Sequence, residues 1–504
     1  MKTYLFLILL IISYNSFAQR YSCKTNEVKP FEITEKISPI KLHDDIDEFI
    51  KILEEVHVSP YMKISKEEFY NASDELKSSI NDSLTRQQFY QVFTPLVDML
   101  NDSHTGVKFP KGIWKHYQYE ASGLFFPMEI ATTMDKRIFI KRDFSENKIP
   151  DNTEILSINS IKSKDIINTF LKYDPSPIET SSIKRLEKKF VDYMWWVLDY
   201  RAPYDVETNT GTYTVQGQVW KEYNRNRKTF VQKQKSTKEK ISLNEIDNQT
   251  CILKITSFSG SISEFKPKIE EQFKEIQKKG YKNLIIDVRD NGGGNDDNGK
   301  AVIDYITNKP YSIGLASKFM MKRSKRYEKY QKCKAPWIFR WMVNLRTVSW
   351  FNKEYRLLFK HLIKIPYGEN LDVKLPLQEP NENPYRFKGN VYALSSQYSY
   401  SATTLFLGAI KDYKIGTIIG TETGDCPTGF GNNLYFELQN SRLRCHSSTT
   451  FIIRPNGNMD MTHGVIPNYH VEQTIEDTKK NEDTILRFTL DLIEKTKHNN
   501  VYTK

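Results

Sequence analysis

Between Asp44 and Leu100, apolar residues recur every three or four positions in DDIDEFIKILEEVH, SKEEFYNASDELKSSI and SLTRQQFYQVFTPLVDML. That is the period of helices with one buried face. Thr85, followed three residues later by Gln88, has the form of a capping box at the start of the third helix. The pattern predicts a small helical module over 40–110 that runs out into NDSHTGV. From 118 to 170 the period changes. SGLFFPMEIA, RIFIKRD and TEILSINS are short β-type runs and SKDIINTFLKY is a helix, which predicts a separate β-rich domain over 115–175. The Tyr- and Lys-rich stretch from there to about Asn244 shows no clear pattern.

After Asn248 the pattern becomes α/β. TCILKITSF is a β-run, and SEFKPKIEEQFKEIQKKG places Phe265, Ile269, Phe273 and Ile276 on one helical face before ending at Gly280. NLIIDV is nearly continuous in apolar residues, as a strand covered on both faces would be. Strand, helix and strand of these lengths predict a right-handed parallel crossover, with the helix GKAVIDYITN following. Residues 313–388 interrupt the scheme with the basic, aromatic APWIFRWMVNLRTVSWFNKEYRLLFKHLIK. It reads as a helical insertion packing its aromatics on the domain, an amphipathic lid or membrane-surface segment being the alternative. The α/β pattern returns at NVYALSS, and the core is expected to span 245–495.

Length and charge narrow the class. At ~100–200 residues per domain, 504 residues make two to four domains. The formal charge of +11 comes from 73 Lys and Arg scattered among 62 acidic residues, with no basic block, so nucleic acid is not an expected partner. Lys2, the apolar run Tyr4 to Ile12, and Ser16 and Ala18 in small-residue spacing make 1–18 a secretory signal peptide. That run is short of the ~20 residues a membrane helix needs and no later segment reaches it, so a secreted or periplasmic protein without a stable membrane span is expected. Five cysteines, Cys23, Cys251, Cys333, Cys426 and Cys445, are too few for a disulfide scaffold. Cys426 and Cys445 as a pair, or as buried thiols, both stay open.

Three places carry candidate chemistry. LIIDVRDNGGGNDD puts three glycines at the end of a buried strand, where ligands bind in open α/β sheets and unhindered backbone N–H groups can receive an oxyanion. A flexible loop is the plain alternative, and one copy of a calcium-repeat-like GGGNDD does not make a calcium site. In VYALSSQYSYSATTLFLGAIKD, Ser401 opens a helix whose dipole favours negative charge on a serine oxygen. An ordinary serine N-cap would look the same, and Ser395, Ser396 and Ser399 are close by. In MLNDSHTGV, His104 lies on a polar loop beside Asp102 and Ser103, a setting suited to a general base.

IIDVRDNGGG resembles the Asp-x-Arg-x-Asn-x-Gly-Gly signature of the S41 serine peptidases, the family of C-terminal (tail-specific) processing proteases and the tricorn-type core. SYSATTLFLGAIKDYKIGTIIGTETG is similar to the segment holding their nucleophile, and the small residue Ala402 picks out Ser401. HGVIPNYHV, residues 463–471, is similar to the family's Gly-Val-x-Pro-Asp block, with Asn468 where Asp is usual. The resemblance implies an α/β fold with a crotonase-like (ClpP/crotonase) catalytic core, the N-terminal helical module and a divergent PDZ-like domain. SGLFF, with Gly123 and Leu124, would then lie near a substrate-binding carboxylate loop. IGTETGDC puts Cys426 where the tail-specific branch has its lysine, so the Ser/His tricorn-like branch is implied. In that branch His104 is the base, Ser103 its support, and Gly293 or Gly292 with Ala402 the oxyanion hole. Asp460 is the nearest carboxylate before the Gly-Val-x-Pro block, with Met461 in the usual place and Glu422 a second candidate. Asp287, Arg289 and Asn291 are expected to shape the turn. The implied activity is a serine endopeptidase acting on peptide or protein substrates without metal or organic cofactor. An inactive peptide-binding protein and a non-peptide ester or amide hydrolase are the alternatives.

Overall fold

The computed structural model describes residues 33–174, 176–234, 239–313, 318–334, 361–374, 377–474, 477, 480 and 482–501. The expected signal peptide, Cys23 and residues 335–360 of the aromatic segment lie outside them. The described residues within Met1–Ser236, Met320–Leu371 and Phe430–Phe451 form one unit. Those within Thr237–Phe319, Asp372–Gly429 and Ile452–Lys504 form another.

In the first unit the helical periodicity yields α1 (Pro39–Val56), α2 (Lys66–Ser79) and α3 (Arg86–Asp98). α1 buries Leu42, Ile46, Phe49, Leu53 and Val56, one face at helical spacing. Both halves of the capping box form: Gln88 N donates to Thr85 Oγ1 at 3.2 Å, and Thr85 N to Gln88 Oε1 at 2.9 Å. An antiparallel sheet follows, built from β1 (Met128–Thr132), β2 (Ile138–Asp143), β3 (Glu154–Ile158), β4 (Tyr204–Thr208) and β5 (Gly211–Val215). Its order is β5-β4-β3-β2-β1, with Ile161–Lys162 also on β3. Between β3 and β4 come α4 (Ser163–Leu171) and α5 (Glu179–Trp196).

The stretch that showed no pattern is therefore ordered as α5, the hairpin β4–β5 and the helix Trp220–Gln234. Ile183, Leu186, Phe190 and Met194 do stand at helical spacing and pack with Met128, Ile130 and Phe170. Dense Lys, Arg and Glu between them, and an N-cap Ile178 without a side-chain hydrogen bond, weaken the local signal.

A second sheet contains Asn370–Lys374, Lys318–Lys322, Arg444–Ile453 and Gly429–Glu437 in that order, with Gly106–Lys108 antiparallel to Arg444–Ile453. The Arg444–Ile453 strand buries His446, Ser447, Ser448, Thr449 and Thr450. His446 is opposite Gly106 and stacks on Tyr435 with ring centroids 5.5 Å apart. A Cβ on Gly106 would meet His446 Cε1 at 3.1 Å.

The second unit is α/β. Its strands are β6 (Ile241–Asp247), β7 (Thr250–Ile255), β8 (Asn283–Asp287), β9 (Asn390–Ser395), β10 (Thr417–Gly420) and β11 (Tyr469–His470), paired in that order. β6 is antiparallel to β7 and every later pairing is parallel. The helices are α6 (Ile262–Lys279), α7 (Asp296–Ile303), α8 (Ala402–Asp412) and α9 (Thr484–Val501). Alternate strand residues belong to two cores, as strand geometry requires. Leu284, Ile286 and Ala393 pack with Phe265, Phe273 and Phe406, whereas Ile285, Tyr392 and Leu394 pack with Ile485 and Ile493. β8 is buried at all five residues, which explains its unbroken apolar run. α6 buries the four residues assigned to its inner face and ends on Gly280 in the left-handed conformation. α7 starts at Asp296, three residues earlier than GKAVIDYITN indicated, because Asn295 caps it by accepting from Asp297 N at 3.1 Å.

Among the described residues no helix is long and apolar enough to cross a membrane, and no cluster of His, Cys, Asp or Glu could hold a metal ion.

Burial, with Lys108 adding to it, pushes His446 down to about 3. In the unfolded chain a histidine takes up its proton near pH ~6.5. A depressed folded value contributes stability that is whole above about pH 6.5 and is lost as the pH falls toward 3. Melting midpoints at pH 7.5 and pH 5 are expected to fall further apart in the wild type than in His446→Phe, which keeps a ring against Tyr435 but cannot titrate. Equal falls in the two proteins would contradict this.

Candidate active site

β8 and β9 run parallel and end at one edge of the sheet, Asp287 level with Leu394, so the glycine loop and the serine loop leave side by side. Asp287, 2% exposed, accepts from Arg289 Nε and Nη2, both at 2.9 Å. The other side of the guanidinium meets Asp483 in two bonds of 2.7 Å. Burial opposes charge on Arg289, but the two carboxylates outweigh it and raise its pKa. This clamp sets the direction of the chain entering the turn.

Asn291 is fully buried at the centre of the turn. Its Oδ1 accepts from Gly293 N at 3.0 Å and Phe258 N at 3.3 Å, and its carbonyl accepts from Tyr400 N at 3.1 Å. The three glycines then have three separate reasons. A Cβ on Gly294 would lie 2.4 Å from the Phe258 carbonyl carbon, so this residue permits the pairing of the loop with the exit of β7. Gly293, at φ +94°, passes so close to the serine loop that a Cβ would stand 2.6 Å from Tyr400 O and 2.9 Å from Ser401 Cβ. Gly292 is exposed, with nothing within 4 Å of where a Cβ would be. Of the two glycines expected to supply an oxyanion donor, Gly293 has its N–H turned to Asn291 Oδ1. Gly292 N–H has no partner among the described residues.

The four serines separate by their hydroxyl partners. Ser395 Oγ donates to Thr421 O, Ser396 Oγ to Arg289 O at 2.5 Å, and Ser399 Oγ to Val288 O at 2.9 Å. Ser401 makes no side-chain cap bond to α8, and its hydroxyl has no partner among the described residues. Its backbone, at φ +53° and ψ −122°, occupies a region that non-glycine residues rarely adopt. Such strain persists only where the surroundings impose it, and a strand-to-helix turn of this kind lifts a serine oxygen clear of the backbone. Ala402 N lies on the side facing the glycine loop, 3.0 Å from the position of a Gly293 Cβ.

The remaining candidates of this unit have hydrogen-bond partners of their own. Asp460 accepts from Thr462 N at 2.8 Å and Thr462 Oγ1 at 2.6 Å, and faces His463 Nδ1 at 3.0 Å. The Thr462 bonds, helped by His463, hold its carboxyl down at about 2. Glu422 accepts from Gly464 N at 2.6 Å. Cys426 donates to Met461 O at 3.2 Å; neither it nor Cys445 is in a disulfide, and Cys251 is also a thiol.

His104 belongs to the first unit, just beyond α3. Ser103 Oγ lies 3.2 Å from its Nδ1, and its backbone N donates to Asp102 Oδ1 at 2.9 Å. Asp102 is 3% exposed, and its Oδ2 accepts from Thr105 Oγ1 and Ser448 Oγ, each at 2.6 Å, with His57 Nε2 at 3.2 Å. Burial alone would raise the Asp102 carboxyl, but the His57 hydrogen bond leads the groups that pull it well below the usual range. Sequence reading named Asp102 only as a neighbour and missed His57 and Ser448, because no local pattern links a helix end, a turn and a distant strand. Gly123 N donates to Tyr117 O at 3.1 Å, and Leu124–Phe125 pairs antiparallel with Gln218–Val219 of the same chain.

Among solved structures, the fold is similar to that of mature CPAF, with a TM-score of 0.59 at 13% identity over 87% of this chain and 94% of that one. For mature CPAF complexed with lactacystin the TM-score is 0.61 at 14% identity, over 92% and 99%. At these identities the likeness is one of fold. No curated protein matches the sequence. The parallel strands β8 to β10, the glycine loop and the Ser401 turn all fall within residues 249–471, the segment that matches the model of peptidase family S41.

Proposed function

We propose that the protein is a secreted or periplasmic serine endopeptidase with Ser401 as nucleophile and His104 as base. The observation that carries this reading is the state of Ser401: a strained turn at the C-terminal edge of a parallel sheet, with the one hydroxyl of four that the backbone does not take up. His104 takes the Ser401 proton as the oxygen attacks a peptide carbonyl, then returns it to the leaving amine, and water resolves the acyl-enzyme. The oxyanion is received by the N–H groups of Gly292 and Ala402, while Gly293 keeps the two loops in contact. Ser103 supports the imidazole through Nδ1. The all-parallel run of strands favours a crotonase-like core; the PDZ-like reading of 115–175 and the signal peptide 1–18 complete the proposal.

A fluorophosphonate probe is expected to label the wild type and neither Ser401→Ala nor His104→Ala. Labelling that survives Ser401→Ala would name another nucleophile, and no labelling of any form would favour a peptide-binding protein on this fold.

The glycines give a sharper expectation. Gly293→Ala meets backbone at 2.6 Å, which misplaces the serine turn, and should lower kcat/KM by ~10²-fold or more. Gly292→Ala keeps its N–H, has open space, and should stay within about tenfold. The reverse order of the two variants would contradict the assignment.

A further inference from the structure

We propose that Asp102 is the positioning residue of the reaction: the carboxylate that fixes the His104 loop and supports the positive charge of His104 when it holds the serine proton. The inference rests on the reading of His104 as base, and it fills a place for which Asp460 was the sequence candidate. Asp460 is occupied by Thr462 and His463 in its own loop.

Asp102 has the geometry for this role. One oxygen accepts from the backbone N–H of His104 itself, at 2.9 Å, so the carboxylate sets the position of the residue it serves. The other collects Thr105 Oγ1, Ser448 Oγ and His57 Nε2 from a turn, a strand and the end of α1. Four donors keep a buried carboxylate ionised, since each favours the charged form. None of them brings a full positive charge. Ser59 N donates to His57 Nδ1 at 3.0 Å, so that nitrogen holds a lone pair, the proton is on Nε2, and the ring is neutral. His446, the other imidazole near the carboxylate, is kept neutral by burial and Lys108. Lys108 has its pKa lowered, by burial first and Lys189 next, and feels Asp174 as its principal nearby carboxylate. Asp102 is therefore a buried negative charge surrounded by neutral donors, and a proton arriving on His104 supplies the positive charge that balances it. A carboxylate that holds an imidazole in place and stabilises its protonated form without taking the proton is the role the third member plays in other triads.

The test is the acid limb of the pH dependence of kcat/KM, or of the fluorophosphonate labelling rate, in the full-length chain. Asp102→Asn keeps an acceptor for His104 N–H and removes the charge, so the limb should move down by about one pH unit or more, with a lower plateau. Ser448→Ala keeps the charge and removes one donor, so the carboxylate leans more on His104 and the limb should move up. Opposite signs mark an electrostatic role. A limb unmoved in folded Asp102→Asn, or both limbs shifting the same way as the melting midpoints drop, would overturn the proposal. If Asp102→Asn does not fold, the Ser448→Ala limb decides, an upward shift supporting the role and no shift overturning it. A wild type that the probe does not label at any pH would instead defeat the assignment of the reaction itself.

Discussion

The Asn291 carboxamide is the interaction on which the rest of the candidate site depends. One oxygen takes the N–H of Gly293 and of Phe258, and the residue's own carbonyl takes the N–H of Tyr400. Three chain segments that leave three neighbouring parallel strands are thereby fixed to one buried residue. A buried polar group left without partners is costly, so the loop has few other conformations in which these groups are as well satisfied. The strain at Ser401 is sustained by that lock: Tyr400 cannot turn away from Asn291, Gly293 fills the space against Ser401, and α8 starts at the next residue. With the Gly293 N–H turned inward, the Gly292 N–H stays without a partner among the described residues.

The first unit applies the same logic to a charge. The Arg444–Ile453 strand is buried along most of its length and carries hydroxyl-bearing residues where an ordinary core strand carries aliphatic ones. Its Ser448 is one of the donors that let Asp102 stay ionised out of water. A polar network of this kind is stable when its members are satisfied together, and removing one exposes the others to the full cost of burial. Such networks are expensive places to keep charge, which is why a strongly perturbed carboxylate beside a half-buried imidazole points to chemistry.

Much of this was legible in the chain. The inner face of α6, the Gly280 terminus, the Thr85–Gln88 box and the parallel strand-helix-strand unit follow from spacing and from conformations that one or two residue types adopt cheaply. The triple glycine announced a close approach of backbones, and two of its members do make one. Sequence could not say which glycine N–H stays outward, because that depends on a side chain two residues earlier that could equally have faced solvent. Nor could it separate Ser401 from Ser395, Ser396 and Ser399 by local pattern, since the difference lies in carbonyls of other strands. α5 was missed because charged residues dilute its apolar spacing. The partners of Gly123 and Leu124, Tyr117 and Val219, lie on either side of the β1–β5 sheet in the sequence, a pairing no local pattern announces.

The central claim is that the Asn291 lock presents Ser401 to an oxyanion hole built from Gly292 and Ala402. A crystal structure of the protein inactivated by a fluorophosphonate tests it directly. The account predicts phosphorus bonded to Ser401 Oγ with the phosphonyl oxygen about 2.7–3.1 Å from the N atoms of Gly292 and Ala402, and Gly293 N still on Asn291 Oδ1. Phosphorus on another residue, or a phosphonyl oxygen received by Gly293 N with the Asn291 bond broken, would contradict it.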